Sequence, residues 1–364
     1  MRVIIIGTGL AGQLVLQSLR KLGFSGEILL FTQHLGNYYA KPSLSSVWTQ
    51  KKCPNDLIMH TAAEVESKFN CKIYQEEVEQ IHREKKEIQT KSSIYSYDKL
   101  VLAVGSVGIN LDVLPNSEKI FRINHLEDYQ QFYPMVHKEA EIAIVGGGLI
   151  GVEFAYDLAK HCHVTLFARS GLLWNMVPKE IGEYIKQSLL KRGVVVQTNM
   201  NIHSVVEKDK VIINGKTCAD VMIAAVGLQS NINLANKASL KIDKAIEVNQ
   251  FGQSSDPDIY ALGDCAKTMG RILRYVPPIR ICAKSISNHI LGSEIPIIYP
   301  LMPVNLKTPD MPVCFCYNRL PKHWDVIEDE DGVVATAYDE DKLVAFALCG
   351  KHVNRRQDLL LKMS

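Results

Sequence analysis

Two glycine-rich hexapeptides are the parts of this sequence whose residue types and spacing point most directly to chemistry. The first, Gly7-Thr8-Gly9-Leu10-Ala11-Gly12, follows the apolar run Val3–Ile6 and precedes apolar residues at helical spacing. This order predicts a buried strand, a tight turn and a helix. The backbone N–H groups at such a helix start attract the pyrophosphate of a dinucleotide. A glycine turn alone is also compatible with a structural role, but the flanking strand and helix favour nucleotide binding.

The second hexapeptide, Gly146-Gly147-Gly148-Leu149-Ile150-Gly151, repeats the same arrangement. It lies between the apolar run Ile142–Val145 and an amphipathic stretch that extends to Lys160. A further apolar run, His163–Phe167, begins at about the separation of 20 residues that a βαβ unit requires. Two such units predict two bound dinucleotides, and the simplest pair is a flavin with a nicotinamide.

The residues after the second strand of each unit contact the ribose in this kind of fold. An acidic side chain usually occupies that position and binds the ribose hydroxyls. In the first unit the position holds Thr32 and Gln33, which can still form hydrogen bonds to a ribose. In the second unit it holds Ala168-Arg169-Ser170, and an arginine can accept a 2′-phosphate. NADPH therefore remains an alternative to NADH.

These elements predict an α/β protein with two Rossmann-like dinucleotide-binding domains and a small C-terminal α+β domain. The predicted domains are residues 1–108 with 237–303, residues 109–236, and residues 304–364. After Met302 the strands are expected to be antiparallel, with a hairpin whose tip is the Asp-Gly pair of Glu328–Gly332. Helices are expected at Ile281–Leu291 and Asn354–Met363. The acidic spacing of the hairpin does not fit a calcium loop.

Composition narrows the function classes. The chain has 364 residues, a formal net charge of +2 and 47% hydrophobic residues, which is typical of a globular protein without a nucleic-acid-binding surface. No apolar run approaches the roughly 20 residues that span a bilayer, and no signal peptide is recognised. The nine cysteines include no CxxC pair, which favours a cytosolic protein with reduced thiols. His161-Cys162-His163 is not expected to bind a metal, because consecutive side chains diverge.

Several segments together resemble a known family. GTGLAG, KPSLS, LAVG, GGGLIGVEFA, AAVG and IYALGDCA occur in this order, as in FAD- and NAD-binding reductases with the glutathione-reductase-type fold. Within that superfamily the sequence is most similar to the bacterial rubredoxin and flavorubredoxin reductases. This narrower resemblance depends on the segments YAKP, RYV and VNLKTP, which begin at Tyr39, Arg274 and Val304. It covers nearly the whole chain.

The resemblance implies roles for individual residues. The first unit would bind FAD and the second NADH, with NADPH possible through Arg169. Lys41 would lie near the flavin N5 edge and pair with Glu153, and these two are the predicted catalytic residues. The other residues implied to contact the cofactors are Thr32, Gln33, Val78, Asp264, Val276 and Lys307. Residue type alone would instead read Lys41 as a solvated lysine and Glu153 as a carboxylate at a helix start.

The family resemblance also implies the reaction. A hydride would pass from NADH to FAD, and single electrons would then pass to a small iron protein, rubredoxin or a rubredoxin-like domain. The redox-active cysteines of disulfide reductases are missing, since Cys53 lies too late in the chain and Cys265 is expected to be a packing residue. A ferredoxin reductase of an oxygenase system and a non-catalytic flavin-binding sensor are the alternatives. The expected protein is a monomer, with basic residues between Lys267 and Lys284 and near Lys351 attracting an acidic partner.

Overall fold

The computed structural model, which describes residues 1–363, combines strand–helix–strand segments with several runs of consecutive strands. In chain order the strands are β1 Arg2–Ile6, β2 Glu27–Phe31, β3 Tyr38–Tyr39, β4 Ile58–His60, β5 Lys72–Tyr74, β6 Val78–His82, β7 Glu87–Thr90, β8 Ile94–Ser96, β9 Lys99–Leu102, β10 Ser106–Gly108, β11 Ile120–Phe121, β12 Glu141–Val145, β13 His163–Phe167, β14 Val195–Gln197, β15 Val205–Glu207, β16 Val211–Ile213, β17 Thr217–Ala219, β18 Val221–Ala224, β19 Leu228–Ser230, β20 Ile246–Val248, β21 Ile259–Ala261, β22 Ala266–Thr268, β23 Val304–Asn305, β24 Val313–Tyr317, β25 Asp325–Asp329, β26 Gly332–Asp339 and β27 Lys342–Cys349. The α-helices are α1 Leu10–Lys21, α2 Ala62–Phe69, α3 Leu126–Phe132, α4 Leu149–Leu158, α5 Lys179–Lys191, α6 Asn233–Lys237, α7 Val276–Ile290 and α8 Arg356–Met363.

Contacts between these elements divide the chain into two units. The first unit contains residues 1–41, 55–107 and 228–299, and the second contains residues 42–54, 108–227 and 300 onward. Each unit is therefore built from separate segments of the chain. The division into FAD, NAD(P)H and C-terminal domains at residues 108, 236 and 303 stays a prediction.

The first unit is organised around a five-stranded parallel sheet with the strand order β21-β9-β1-β2-β5. The central strand β1 pairs with β2 on one side and with β9 on the other. Its residues alternate between two cores, because successive side chains of a strand point to opposite faces. Val3 and Ile5 pack with α1 and α7, whereas Ile4 and Ile6 pack on the opposite face. Burial on both faces explains the unbroken apolar run.

The second unit contains a parallel sheet of the same kind, with the strand order β11-β18-β12-β13-β14. The strands β12, β13 and β14 follow one another in the chain and lie side by side, as right-handed βαβ crossovers require. An antiparallel sheet, β15-β16-β17, follows β14 in the sequence. The predicted α/β fold with two Rossmann-like sheets is confirmed.

The second unit also contains the C-terminal antiparallel sheet, with the order β23-β24-β27-β26-β25, followed by α8. Its core includes the side chains of Cys314 and Cys316, which are both buried as the alternation along β24 predicts. The hairpin of β25 and β26 exists, but its tip differs from the prediction. Asp329 pairs with Gly332, so Glu330 and Asp331 form the turn and Gly332 already belongs to β26.

One helix is longer than the sequence suggested. α7 begins at Val276, five residues before the predicted start at Ile281, and has prolines in its first turn. A proline at this position loses no hydrogen bond, because the first N–H groups of a helix have no partner within the helix. None of the helices in the described chain combines the length and hydropathy that crossing a bilayer would require.

The packing of the C-terminal sheet can be tested by truncating one buried and one exposed side chain. Phe346 of β27 is fully buried, whereas Ile327 of β25 is 65% exposed. We expect Phe346→Ala to lower the free energy of unfolding by about 3–5 kcal/mol, because it leaves a cavity among packed side chains. Ile327→Ala should change it by less than about 0.5 kcal/mol. Urea denaturation followed by circular dichroism measures both, and equal losses would contradict this packing.

Candidate functional site

The first glycine turn joins the carboxyl end of β1 to the start of α1. Gly7 has φ +111°, and a Cβ there would lie 2.2 Å from the carbonyl oxygen of Ala103. A Cβ on Gly12 would lie 1.9 Å from the carbonyl oxygen of Gly7. No side chain fits at either position. Gly9 differs, because no atom lies within 4 Å of the place where its Cβ would be.

The second turn repeats this geometry between β12 and α4. Gly146 has φ +128°, and its Cβ would lie 2.1 Å from the carbonyl oxygen of Ala225. A Cβ on Gly151 would lie 1.8 Å from the carbonyl oxygen of Gly146, whereas Gly148 again faces open space. The middle glycine of each motif is the N-cap residue directly before the helix, so neither helix start has a side-chain cap, and neither has an acidic residue in its first turn. Each helix start can therefore accept an anion.

Asp264 lies beside the first turn. It occupies a 3₁₀ turn, Gly263–Cys265, which Leu262 separates from β21, and a Cβ on Gly263 would come within 3.2 Å of the Ala11 side chain. Ser106 donates a hydrogen bond to the Asp264 carboxylate at 2.8 Å, and Ser230 donates one to its carbonyl oxygen at 2.6 Å. The predicted residue is thus held in place near the start of α1.

The remaining predicted residues of the first unit lie in varied surroundings. Thr32, directly after β2, is buried and its hydroxyl accepts a hydrogen bond from the backbone of His34, whereas Gln33 is exposed. Val78 is buried in β6, and Val276 is the partly buried first residue of α7. Lys41 begins the 3₁₀ turn Lys41–Ser46. Contacts of these residues with FAD, and the pairing of Lys41 with Glu153, remain predictions.

Glu153 lies one turn into α4 and is only 5% exposed. Its carboxylate accepts hydrogen bonds from Lys307 Nζ at 2.6 Å and from the Ser45 hydroxyl at 2.6 Å. The backbone N–H of Lys307 donates a third bond at 3.2 Å, and Lys307 Nζ also donates to the carbonyl oxygen of Pro42 at 2.8 Å. A buried carboxylate needs such partners, since an unpaired one is costly. The structure thus brings together two predicted site residues, Glu153 and Lys307.

A second buried carboxylate lies one helical turn further along α4. Asp157 is 3% exposed and accepts hydrogen bonds from the backbone N–H groups of Trp48 and Thr49, at 3.2 and 2.7 Å. Burial raises the pKa of Asp157, and the bonds from Thr49 and Trp48 oppose that shift. The side chains of Glu153 and Asp157 thereby fix residues 42–54 to α4.

α4 holds the loop after β23 in the same way. The Tyr156 hydroxyl accepts a hydrogen bond from the backbone N–H of Asp310 at 3.0 Å, and the Arg192 guanidinium lies 3.7 Å above the Tyr156 ring. Arg192 also pairs with the Asp310 carboxylate at 2.9 Å. The Arg192 guanidinium lowers the pKa of Asp310, with a smaller contribution from the Tyr156 hydroxyl. The segment that carries Lys307 is therefore attached to α4 at two points.

Sequence reasoning missed Ser45, Ser106, Asp157 and Ser230. Asp157 offered a signal, because an acidic residue four positions after Glu153 lies on the same face of an otherwise apolar helix. The serines offered none. Of the basic residues expected to attract a partner, Lys267 pairs with Asp243 and Lys351 pairs with Asp331, so their charge is partly neutralised. Among residues 1–363, no cluster of three or more potential metal ligands is found.

Comparison with known proteins shows the family. Residues 1–279 match the family described as pyridine nucleotide-disulphide oxidoreductase, and residues 296–363 match the rubredoxin binding C-terminal domain. The chain belongs to the pyridine nucleotide-disulphide oxidoreductase family. The nitric oxide reductase FlRd-NAD(+) reductase of Vibrio vulnificus (strain CMCP6) is 31% identical over 373 residues, which cover 100% of this chain and 98% of that protein. The resemblance to rubredoxin and flavorubredoxin reductases is thus confirmed.

Solved structures share the fold of this oxidoreductase family member. NADH:rubredoxin oxidoreductase from Clostridium acetobutylicum has a TM-score of 0.83 and 22% identity, over 100% of this chain and 94% of that one. An engineered water-forming NADPH oxidase, solved with NADPH, has a TM-score of 0.88 and 17% identity, over 100% and 90%. Three of its substitutions replace consecutive aspartate, alanine and methionine residues with alanine, arginine and serine.

The ion pair of Glu153 and Lys307 in this family member can be tested by a double-mutant cycle. We expect Lys307→Met to lower the free energy of unfolding by about 1–3 kcal/mol, because it leaves a buried carboxylate without its cation. Adding Glu153→Gln should recover part of this loss, since no charge then remains buried. Urea denaturation of the two single variants and the double variant measures the coupling.

The control for this cycle is Lys351→Met. Lys351 pairs with Asp331 at the same 2.6 Å, but the two side chains are 80% and 41% exposed, so its loss should cost less than about 1 kcal/mol. Equal losses of unfolding free energy in Lys307→Met and Lys351→Met would contradict the claim that Lys307 stabilises the buried carboxylate of Glu153. A double variant that shows no coupling would contradict it as well.

Proposed function

We propose that this chain is an FAD-dependent NADH reductase whose electron acceptor is rubredoxin or a rubredoxin-like domain. The observation that carries the proposal is the combination of two open glycine turns with a C-terminal segment that matches the rubredoxin binding domain. Relatives named FlRd-NAD(+) reductase, similar to this chain over its full length, support the same activity.

The residues present fit two dinucleotides. Gly9 and Gly148 leave open space at uncapped helix starts, which is where a pyrophosphate binds in this kind of fold. In this proposal Gly7, Gly9, Leu10, Ala11 and Gly12 hold the FAD pyrophosphate. Gly146, Gly148 and Gly151 hold that of the nicotinamide. When bound, the flavin supplies the conversion of a two-electron hydride into single electrons.

The chain's own residues would orient the reactants. Asp264, fixed by Ser106, would accept hydrogen bonds from the flavin's polar chain. Lys41 would contact the flavin edge, and Glu153, held by its three donors, would orient Lys41 or the nicotinamide. Thr32 and Gln33 would bind the adenosine, Val78 would contact the adenine, and Val276 and Lys307 would cover the flavin ring.

A thiol relay has no place in this proposal. Burial raises the pKa of Cys265, the cysteine beside Asp264, to about 11, so this thiol stays protonated and unreactive at neutral pH. The exposed thiols are those of Cys53 and Cys218. All nine cysteines are free, which supports a cytoplasmic location for the protein.

The proposal is tested by anaerobic stopped-flow absorbance with separate acceptors. We expect NADH to bleach the flavin bands and the reduced protein to reduce rubredoxin, with a [2Fe–2S] ferredoxin reduced at least tenfold more slowly. Treatment of the folded protein with iodoacetamide should change turnover by less than about twofold, since Cys53 and Cys218 take no part.

Three results would contradict parts of the proposal. A flavin that stays oxidised with NADH would indicate a non-catalytic binding protein. If the reduced protein passed electrons to the ferredoxin faster than to rubredoxin, the acceptor would be the ferredoxin of an oxygenase system. Loss of turnover on alkylation, with the flavin still bound, would show that a thiol takes part.

A further inference from the structure

The carboxyl end of β13 is the part of the second unit that would contact the adenosine ribose. The backbone N–H of Gly146 donates a hydrogen bond to the carbonyl oxygen of Phe167 at 2.8 Å, so the last residue of β13 lies directly beside the glycine turn. In dinucleotide-binding folds an acidic side chain at this position binds the 2′-hydroxyl, and an arginine nearby accommodates a 2′-phosphate.

Ala168 occupies the position nearest the turn. It is 1% exposed, and a Cβ on Gly147 would lie 2.6 Å from its methyl group. The space beside the turn is therefore filled by a methyl group, where NAD-specific sites hold a carboxylate. The backbone of Ala168 is fixed by hydrogen bonds to Gln197 and from Met200. Residues 168–175 and 197–201 contain no aspartate or glutamate, so neither segment would repel a phosphate.

Arg169 is the cation of this segment. Its side chain is exposed, and within residues 1–363 it has neither a hydrogen-bond nor an ion-pair partner. Arg192 of the same unit is different, because it is already paired with Asp310. The loop behind Arg169 is fixed, since Leu173 donates a backbone hydrogen bond to the Gly147 carbonyl oxygen at 2.8 Å and Leu172 is buried. Arg169 therefore projects from an anchored backbone.

We infer that Arg169 recognises a 2′-phosphate, so that this chain binds NADPH more tightly than NADH. A guanidinium forms paired hydrogen bonds with phosphate oxygens, and these bonds are stronger than those of neutral groups. NADH keeps its pyrophosphate contacts at the glycine turn, but its ribose hydroxyls meet no carboxylate here. The inference rests on the proposed function, in which NADH reduces the flavin, and adds that NADPH is the more tightly bound of the two nucleotides at that same site.

Equilibrium binding to the flavin-loaded protein tests the inference without turnover. Isothermal titration calorimetry with NADP⁺, NAD⁺, 2′,5′-ADP and 5′-AMP compares ligands that differ only in the 2′-phosphate. We expect NADP⁺ to bind more tightly than NAD⁺, and 2′,5′-ADP more tightly than 5′-AMP. In Arg169→Gln the ratio of the NAD⁺ Kd to the NADP⁺ Kd should fall by about 10- to 100-fold.

The matched control is Arg319→Gln, which removes the same charge from a side chain that is 69% exposed in the C-terminal sheet region. It should leave the Kd ratio unchanged. Tighter binding of NAD⁺ than of NADP⁺ by the parent protein would overturn the inference, as would an equal Kd ratio in the parent and in Arg169→Gln. Failure of the proposed function is distinguishable, because the flavin would then be reduced by neither NADH nor NADPH while the binding ratio is still measured.

Discussion

The structure depends on a close approach between backbone atoms that occurs twice. In each parallel sheet, the last glycine of the motif faces the carbonyl oxygen of the first glycine so closely that a Cβ would lie within 2 Å of it. This approach draws α1 onto β1 and α4 onto β12, and it leaves the middle glycine facing open space at the helix start. The same constraint therefore fixes the packing of helix on strand and opens a place for a pyrophosphate.

α4 adds a second layer of organisation in its own unit. Glu153, Tyr156 and Asp157 project from consecutive turns of an otherwise apolar helix, and each bonds a segment that is distant in the sequence. These bonds attach residues 42–54 and the loop that carries Lys307 to the helix that follows the second glycine turn. The polar groups of α4 are buried and paired, so they make the position of these segments specific at a considerable desolvation cost.

Much of the fold could be predicted from the sequence, because it depends on local signals. β13 has the bounds of the predicted apolar run, and β12 differs from the predicted run Ile142–Val145 only by the preceding Glu141. The start of α7 was missed because Pro277 and Pro278 resemble a loop until their place in a first helical turn is known. The partners of Glu153 and Asp264 could not be predicted. Ser45 lies 108 residues from Glu153, and Ser106 lies 158 residues from Asp264, so these contacts follow from the tertiary arrangement of the chain and not from local sequence.

The central claim is that the first glycine turn holds a resident flavin. The most direct measurement is the cofactor content of the purified protein, by absorbance of the native chain and chromatography of what heat releases. The account predicts one FAD per chain, with no FMN and no tightly held nicotinamide. A colourless protein that takes up no FAD on reconstitution, while its secondary structure is intact, would contradict it.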